Sequence, residues 1–153
     1  GVDVTFHSGT AGDFALWDAS DKALEFTDSK ITMNDNLVET PEMKDYAETV
    51  NAIGATGGGT QDIDITAGNV VTATVTASAN TFTFSNPSAS GKSCSFTLIL
   101  TNGGSQTVNW PGSVDWPGGA APTLTTSGVD VLVFTTVDGG TIWYGFAAGL
   151  AMA

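Results

Sequence analysis

The sequence has 153 residues, of which 19 are glycine, 16 are acidic and four are lysine, and the formal net charge is −12. Proteins bind nucleic acids and anionic membranes mainly through cationic side chains, so this chain, which has no arginine, is a poor partner for either. No apolar run is long enough to cross a bilayer, so we expect no membrane insertion. The length fits one domain, or one domain with an extension.

The charge is concentrated in residues 1–54, which carry eleven acidic residues and three lysines. This region alternates as short strands at 2–6, 13–17, 22–26 and 30–33, and each strand offers only two or three apolar side chains. So little apolar surface does not offset the conformational entropy lost on ordering the segment. We therefore interpret residues 1–54 as a β-rich stem that needs neighbours, either the C-terminal domain or further copies of itself.

Residues 40–54 allow two interpretations. Thr40 as N-cap, Pro41 at the first helical position and Gly54 as a stop favour a helix. The alternation of Tyr46, Glu48, Val50 and Ala52 favours an extended strand instead. The glycine-rich segment 55–60 that follows is typical of a linker, which predicts a domain boundary there.

The last hundred residues contain about seven strand-like runs, with the strongest between Cys94 and Phe146. The run 96–101 places Phe96, Leu98 and Leu100 on one face and stops at the turn 102–104, which predicts a hairpin returning through 106–110. A second hairpin is predicted at Asp138-Gly139. This density of strands predicts an all-β protein whose residues 61–153 form a jelly-roll-like β-sandwich.

The run 129–137 is apolar on both faces, which a two-layer sandwich does not normally require. We therefore predict that one face meets another subunit. The uncharged C-terminal tail either packs against a partner chain or is frayed. The residues predicted for the oligomer interface are Val129, Val131, Val133, Leu150 and Met152.

Two Trp-Pro-Gly motifs begin at Trp110 and Trp116, with Asn109 and Asp115 immediately before them. Aromatic rings beside amide and carboxylate groups suit sugars, because the ring covers the apolar C–H face and the polar groups bind hydroxyls. These four residues are therefore a candidate glycan site. The alternative is that the two rings cap the sandwich or seal a subunit interface.

No catalytic or metal-binding pattern supports an enzyme. Asp13, Asp18 and Asp21 cluster around turns but lack the spacing of a calcium loop, and turn carboxylates more often bond their own backbone. Asp62 and Asp64 share a strand face, which is more typical of a solvated surface than of a glycosidase pair. The single histidine, the lone Cys94 and the absence of nucleotide-binding glycine motifs lead us to expect no catalysis, no metal and no cofactor.

Several blocks of the sequence carry a family resemblance. They are 12–20 running into 24–26, 44–54, 121–124, 128–130, 138–140 and 143–146. Together they resemble the C-terminal regions of tail-fibre and related appendage proteins of marine tailed bacteriophages. The resemblance implies a homotrimer on the virion surface, with a slender stem, a globular tip that touches the host, and other virion proteins and a host glycan as partners. The single stem block leaves a second interpretation open, a short head fibre or a capsid decoration (cement) protein.

Overall fold

The structure is a computed structural model that describes residues 2–7, 9, 11, 14–20, 22–27, 31 and 37–152. The chain divides into two compact units, Gly1–Lys44 and Asp45–Ala153. The described residues of both units form strands, short turns and irregular segments, so the all-β prediction is confirmed. Among the described residues, the structure contains no helix with the length and apolar character that a membrane span requires.

The N-terminal unit contains a three-stranded antiparallel sheet of β1 (Val4–His7), β2 (Phe14–Asp18) and β3 (Ala23–Thr27), in that order. A turn after β2 is held by Asp18, whose carboxylate accepts hydrogen bonds from the backbone N–H and the hydroxyl of Ser20 at 2.7 and 2.6 Å. These strands lie within a residue or two of three predicted ones. The fourth, at 30–33, falls on residues outside the described part apart from Ile31.

One face of this small sheet is entirely apolar. Strand register aligns Val4 with Trp17 and Leu24 in one row, and Phe6 with Ala15 and Phe26 in another row on the same face. The five large side chains among them are between 39% and 66% exposed. A three-stranded sheet with an open apolar face has little stability of its own.

The C-terminal unit contains two sheets. The six-stranded sheet has the order β10-β12-β11-β8-β6-β4, and the three-stranded sheet has the order β5-β7-β9. The strands are β4 (Val50–Thr56), β5 (Gly59–Asp64), β6 (Val70–Val75), β7 (Asn80–Ser85), β8 (Cys94–Thr101), β9 (Val108–Asn109), β10 (Val114–Asp115), β11 (Val129–Thr136) and β12 (Trp143–Met152).

From β4 to β9 the chain alternates between the two sheets, as in a parallel β-solenoid. In one sheet β4, β6 and β8 pair in parallel, and in the other β5, β7 and β9 pair in parallel. The register is regular, with Val50 opposite Val70 and Gly59 opposite Asn80. Jelly rolls are built from antiparallel strands, so the predicted jelly-roll connectivity is wrong.

The two predicted hairpins have different outcomes. The turn at Asp138-Gly139 does connect the antiparallel strands β11 and β12, as predicted. The hairpin predicted at 102–104 is wrong, because that segment forms a short 3-10 turn and β9 then pairs with β7 in the other sheet. The chain turns into the core at this point, since Val108 and Trp110 pack on core residues.

The segment 40–60 also differs from prediction. Residues 40–49 have no regular structure and β4 begins at Val50, so the helical interpretation is wrong. The predicted linker 55–60 belongs to β4, β5 and the turn between them. Gly58 and Gly59 adopt positive φ angles of 99° and 79°, so the glycines form a tight turn from one sheet to the other.

The side chains of both sheets form a single core. Phe96, Leu98 and Leu100 of β8 are at most 2% exposed, which confirms the predicted inward face. From the other sheet, Phe84 contacts Phe96, Phe134 and Trp143, with ring centroids 5.0, 5.1 and 5.3 Å apart. This aromatic cluster joins the solenoid coils to the β11–β12 hairpin.

We predict that Phe134→Ala destabilises the protein by about 3–5 kcal/mol, because it removes a fully buried ring and leaves a cavity. The free energy of unfolding in urea measures this effect. Val137→Ala, at a side chain that is 54% exposed, is the control and should change stability by less than about 0.5 kcal/mol. Equal effects of the two substitutions would show that the aromatic cluster is not the core of the fold.

Candidate functional site

The two candidate tryptophans lie side by side above the core. Trp110 stacks on Phe82 with centroids 5.3 Å apart and an interplanar angle of 18°. Trp116 contacts Phe134 edge to face at 5.5 Å, and the two indole rings are themselves 5.5 Å apart. Both rings are half-buried, so their inner faces cap the core, as the alternative interpretation expected, and only part of each ring is available to a ligand.

The position of Trp116 depends on Gly145. Strand β10 pairs in parallel with β12, which places Trp116 over the β12 backbone at Gly145. A Cβ atom built on Gly145 would lie 2.9 Å from the Trp116 ring and 2.9 Å from Val114. Only glycine allows the indole ring to approach the strand this closely.

Trp116 forms one wall of an open depression of about 290 Å³. We call it the Trp116 depression, and it is lined by Trp116, Pro117, Ala120, Pro122, Phe146 and Ala147. Phe146 is 47% exposed, and no lining residue carries a charge. An uncharged surface of aromatic and proline rings suits a ligand with a flat apolar face.

Trp110 lines a second depression of about 300 Å³, the Trp110 depression, which also exposes Gln106, Thr123 and Thr126. Pro122 belongs to the lining of both depressions. The irregular segment 120–126, which we call the strap, therefore runs between the two sites. The Trp110 depression is the more polar of the two in its lining residues.

The other two residues of the predicted glycan site lie outside both linings. Asn109 is exposed and donates a hydrogen bond from Nδ2 to Thr81 Oγ1 at 3.3 Å. Asp115 is exposed at the edge of the six-stranded sheet, opposite Tyr144. The structure thus brings the tryptophans together and places the polar pair beside them, while Phe146 and Pro122, which sequence reasoning did not select, complete the depression.

The outer face of the six-stranded sheet carries the predicted interface valines. Val129, Val131 and Val133 are half-buried, and the register places Ile99 and Gly149 beside Val131, and Thr97 and Phe146 beside Val133. Leu150 and Met152 are 41% and 51% exposed at the end of β12. On β6, β8, β11 and β12 every outward side chain is apolar, hydroxylated or absent.

The outer face of the three-stranded sheet is polar. Asp62 accepts hydrogen bonds from the hydroxyls of Thr83 and Ser85 at 2.7 and 2.6 Å. Asp64 accepts from the backbone N–H and hydroxyl of Thr66 at 2.9 and 2.6 Å, and these bonds lower the pKa of its carboxyl. Both carboxylates are therefore engaged with neighbouring strand and turn residues, which supports a solvated face over an acid and base pair.

The remaining candidate metal-binding and catalytic residues are not brought together into a site in the described part of the chain. No group of three or more His, Cys, Asp or Glu side chains there could hold a metal ion, while Asp13 and Asp21 lie outside that part. His7 lies 6.2 Å from the Phe14 ring. Cys94 is half-buried, and its Sγ accepts a hydrogen bond from the Ser88 backbone N–H at 3.3 Å.

Comparison with protein-family models, curated proteins and solved structures found no match to this chain.

The β11–β12 turn predicts a dependence of stability on pH. The backbone N–H of Ile142 donates to Asp138 Oδ1 at 3.0 Å, which lowers the pKa of this carboxyl below its ordinary value of 3.8. A lowered pKa in the folded state stabilises the protein above the ordinary value, and that contribution is lost as the pH falls through the folded pKa. Asp138→Asn should therefore flatten the loss of stability between about pH 5 and pH 2, measured by urea unfolding at each pH.

Asp115→Asn removes the same charge from an exposed site and is the control for Asp138→Asn. An unchanged pH profile for Asp138→Asn, or an equal change for both variants, would contradict the role given to the turn carboxylate.

Proposed function

We propose that this protein is a non-enzymatic appendage of a tailed-phage virion, a homotrimer that contributes to attachment at the host surface by binding a glycan. In this proposal the two sheets of the C-terminal unit are the layers of a β-sandwich tip, and the N-terminal sheet belongs to the stem. Three weak glycan sites on one trimer give firm attachment, because once one site is occupied the others bind at a high effective concentration.

The observation that carries the proposal is the contrast between the two outer faces of the C-terminal unit. The three-stranded face presents Asp62, Thr81 and Thr83 to solvent, whereas the six-stranded face presents Val131, Val133 and other uncharged side chains. In a chain with a net charge of −12, a sheet face with no charge in its centre indicates that this centre, around Val131 on β11, is covered in the assembled protein.

The apolar face of the N-terminal sheet supports the same assembly. Val4, Phe6, Trp17, Leu24 and Phe26 all point to one side of that sheet and remain 39–66% exposed. Identical copies around an axis can cover such faces in both units at once.

Val131→Asp should dissociate the trimer, because three buried carboxylates would lie at the interface without partners. Light scattering on the full chain should then give the single-chain mass of 15.6 kDa, in place of three times that mass for the wild type. Thr81→Asp, on the exposed outer face of the three-stranded sheet, adds the same charge and should leave the mass unchanged.

If Val131→Asp retains the wild-type mass, the six-stranded face is not the subunit interface. If the wild type is itself a monomer, the uncharged face favours the second candidate function, capsid decoration, in which another virion protein covers it. Capsids assembled without this protein should then be less resistant to heat, and its copy number should match the capsid lattice.

For glycan binding, the Trp116 depression offers two aromatic rings and two proline rings to the apolar face of a sugar. Phe146→Ala should weaken binding on a glycan array or to host cells by several-fold, consistent with about 1 kcal/mol per aromatic contact, and Trp116→Ala should weaken it further. Ile142→Ala, at an exposed apolar residue just before β12, is the control and should bind like the wild type.

Binding that survives both Phe146→Ala and Trp116→Ala in an intact trimer would exclude the Trp116 depression as the glycan site. Incubation of a host polysaccharide with the protein checks the non-enzymatic assignment, because shortening of the polysaccharide would contradict it.

A further inference from the structure

Asp130 is a fully buried carboxylate at the start of β11, with 0% of its surface exposed. Its Oδ2 accepts a hydrogen bond from the Thr125 backbone N–H at 2.7 Å. Its Oδ1 accepts from the Thr125 hydroxyl at 2.6 Å and from the Ala151 backbone N–H at 3.1 Å. The Ala151 N–H also donates to the Thr125 hydroxyl oxygen at 3.0 Å, which closes a three-residue network.

The chemistry of this network requires a carboxylate. Both backbone groups are donors, so both oxygens of residue 130 must accept. Asparagine has only one side-chain oxygen to accept a hydrogen bond. Its NH₂ group would face the N–H of either Thr125 or Ala151, so that two donors would meet with no acceptor between them. Burying a carboxylate costs free energy unless such hydrogen bonds compensate it. Loss of one bond should therefore weaken the whole network that holds the strap, β11 and β12 together.

The two segments that Asp130 joins also form the walls of the Trp116 depression. One wall is the strap, which contributes Ala120 and Pro122 and includes Thr125 near its end. The other wall is β12, which contributes Phe146 and Ala147 and continues to Ala151. Asp130 lines neither depression, and it bonds the far ends of both walls.

We infer that Asp130 is a positioning residue, which fixes the separation of the strap from β12 and thereby sets the width of the Trp116 depression. The same network fixes the chain around Ala151, between the predicted interface residues Leu150 and Met152. The shape of the depression and the packing of the C-terminal strand are therefore held by one carboxylate. The effect on a ligand depends on the proposed glycan function, whereas the effect on the two segments does not.

Hydrogen exchange followed by mass spectrometry tests this inference on the full chain without a ligand. Asp130→Asn should raise exchange in the peptides covering 119–126 and 147–152 together, by about tenfold for the loss of one buried hydrogen bond. Exchange in 136–142 should not change. Asp138→Asn, at the opposite end of β11, should show the reverse pattern and is the matched control.

Thr125→Val and Thr125→Ser provide a second test in case Asp130→Asn does not fold. Valine removes the hydroxyl, which donates to Asp130 and accepts from Ala151, and should raise exchange in both segments. Serine retains the hydroxyl and should restore wild-type exchange. The glycan affinity of the Asp130 and Thr125 variants should fall in the order in which they release the strap.

The possible results separate the two claims. If exchange rises in only one segment, or in neither, the positioning role is wrong whatever the protein binds. If both segments are released together but no glycan binds the wild type, Asp130 keeps its role and the proposed glycan function fails.

Discussion

The contact of Phe84 with Phe96, Phe134 and Trp143 is the interaction on which the C-terminal unit depends. This contact joins a strand of the three-stranded sheet to three strands of the six-stranded sheet, and the two sheets therefore share one core. Each strand of a sheet has only two faces, and this core occupies the inner face of both sheets. In this unit, contacts with other molecules are therefore made by the two outer faces and by the segments that cover the open side of the core.

The two outer faces and the segments that cover the core differ in the side chains they expose. The outer faces differ in polarity, one bearing carboxylates bonded to hydroxyls and the other bearing valine, isoleucine and threonine. The open side of the core is covered by Trp110 and Trp116, whose inner faces pack on Phe82 and Phe134. Because one side of each ring packs on the core, a ligand could reach only the part that remains exposed, and the strap and Phe146 complete the lining of the Trp116 depression.

Local patterns predicted much of this from the sequence. The alternation of Phe96, Leu98 and Leu100, the apolar character of β11 on both faces and the turn at Asp138-Gly139 are all properties of neighbouring residues, and the structure has them. The parallel pairing was not predictable in the same way, because Val50 meets Val70, and Val70 meets Thr97, only after the chain has crossed to the other sheet and back. Short strands that follow one another from β4 to β9, each ended by a turn, were the sequence pattern that could have indicated these coils. The glycines at 57–59 resemble a linker, so the first of these turns was interpreted as a domain boundary.

The candidate site was predictable only in part for the same reason. Two Trp-Pro-Gly motifs six residues apart identified the tryptophans, but Phe146 reaches the depression through the pairing of β10 with β12, which no local pattern shows. Asp130 was likewise hidden, since an acidic residue within an apolar strand has no evident role until Thr125 and Ala151 are placed around it.

The proposed assembly requires identical chains to cover the uncharged face of the six-stranded sheet. Sedimentation equilibrium of the unmodified chain over a range of micromolar concentrations tests this most directly. We expect a single species of three times the 15.6 kDa chain mass. A species of one chain mass throughout that range would contradict it.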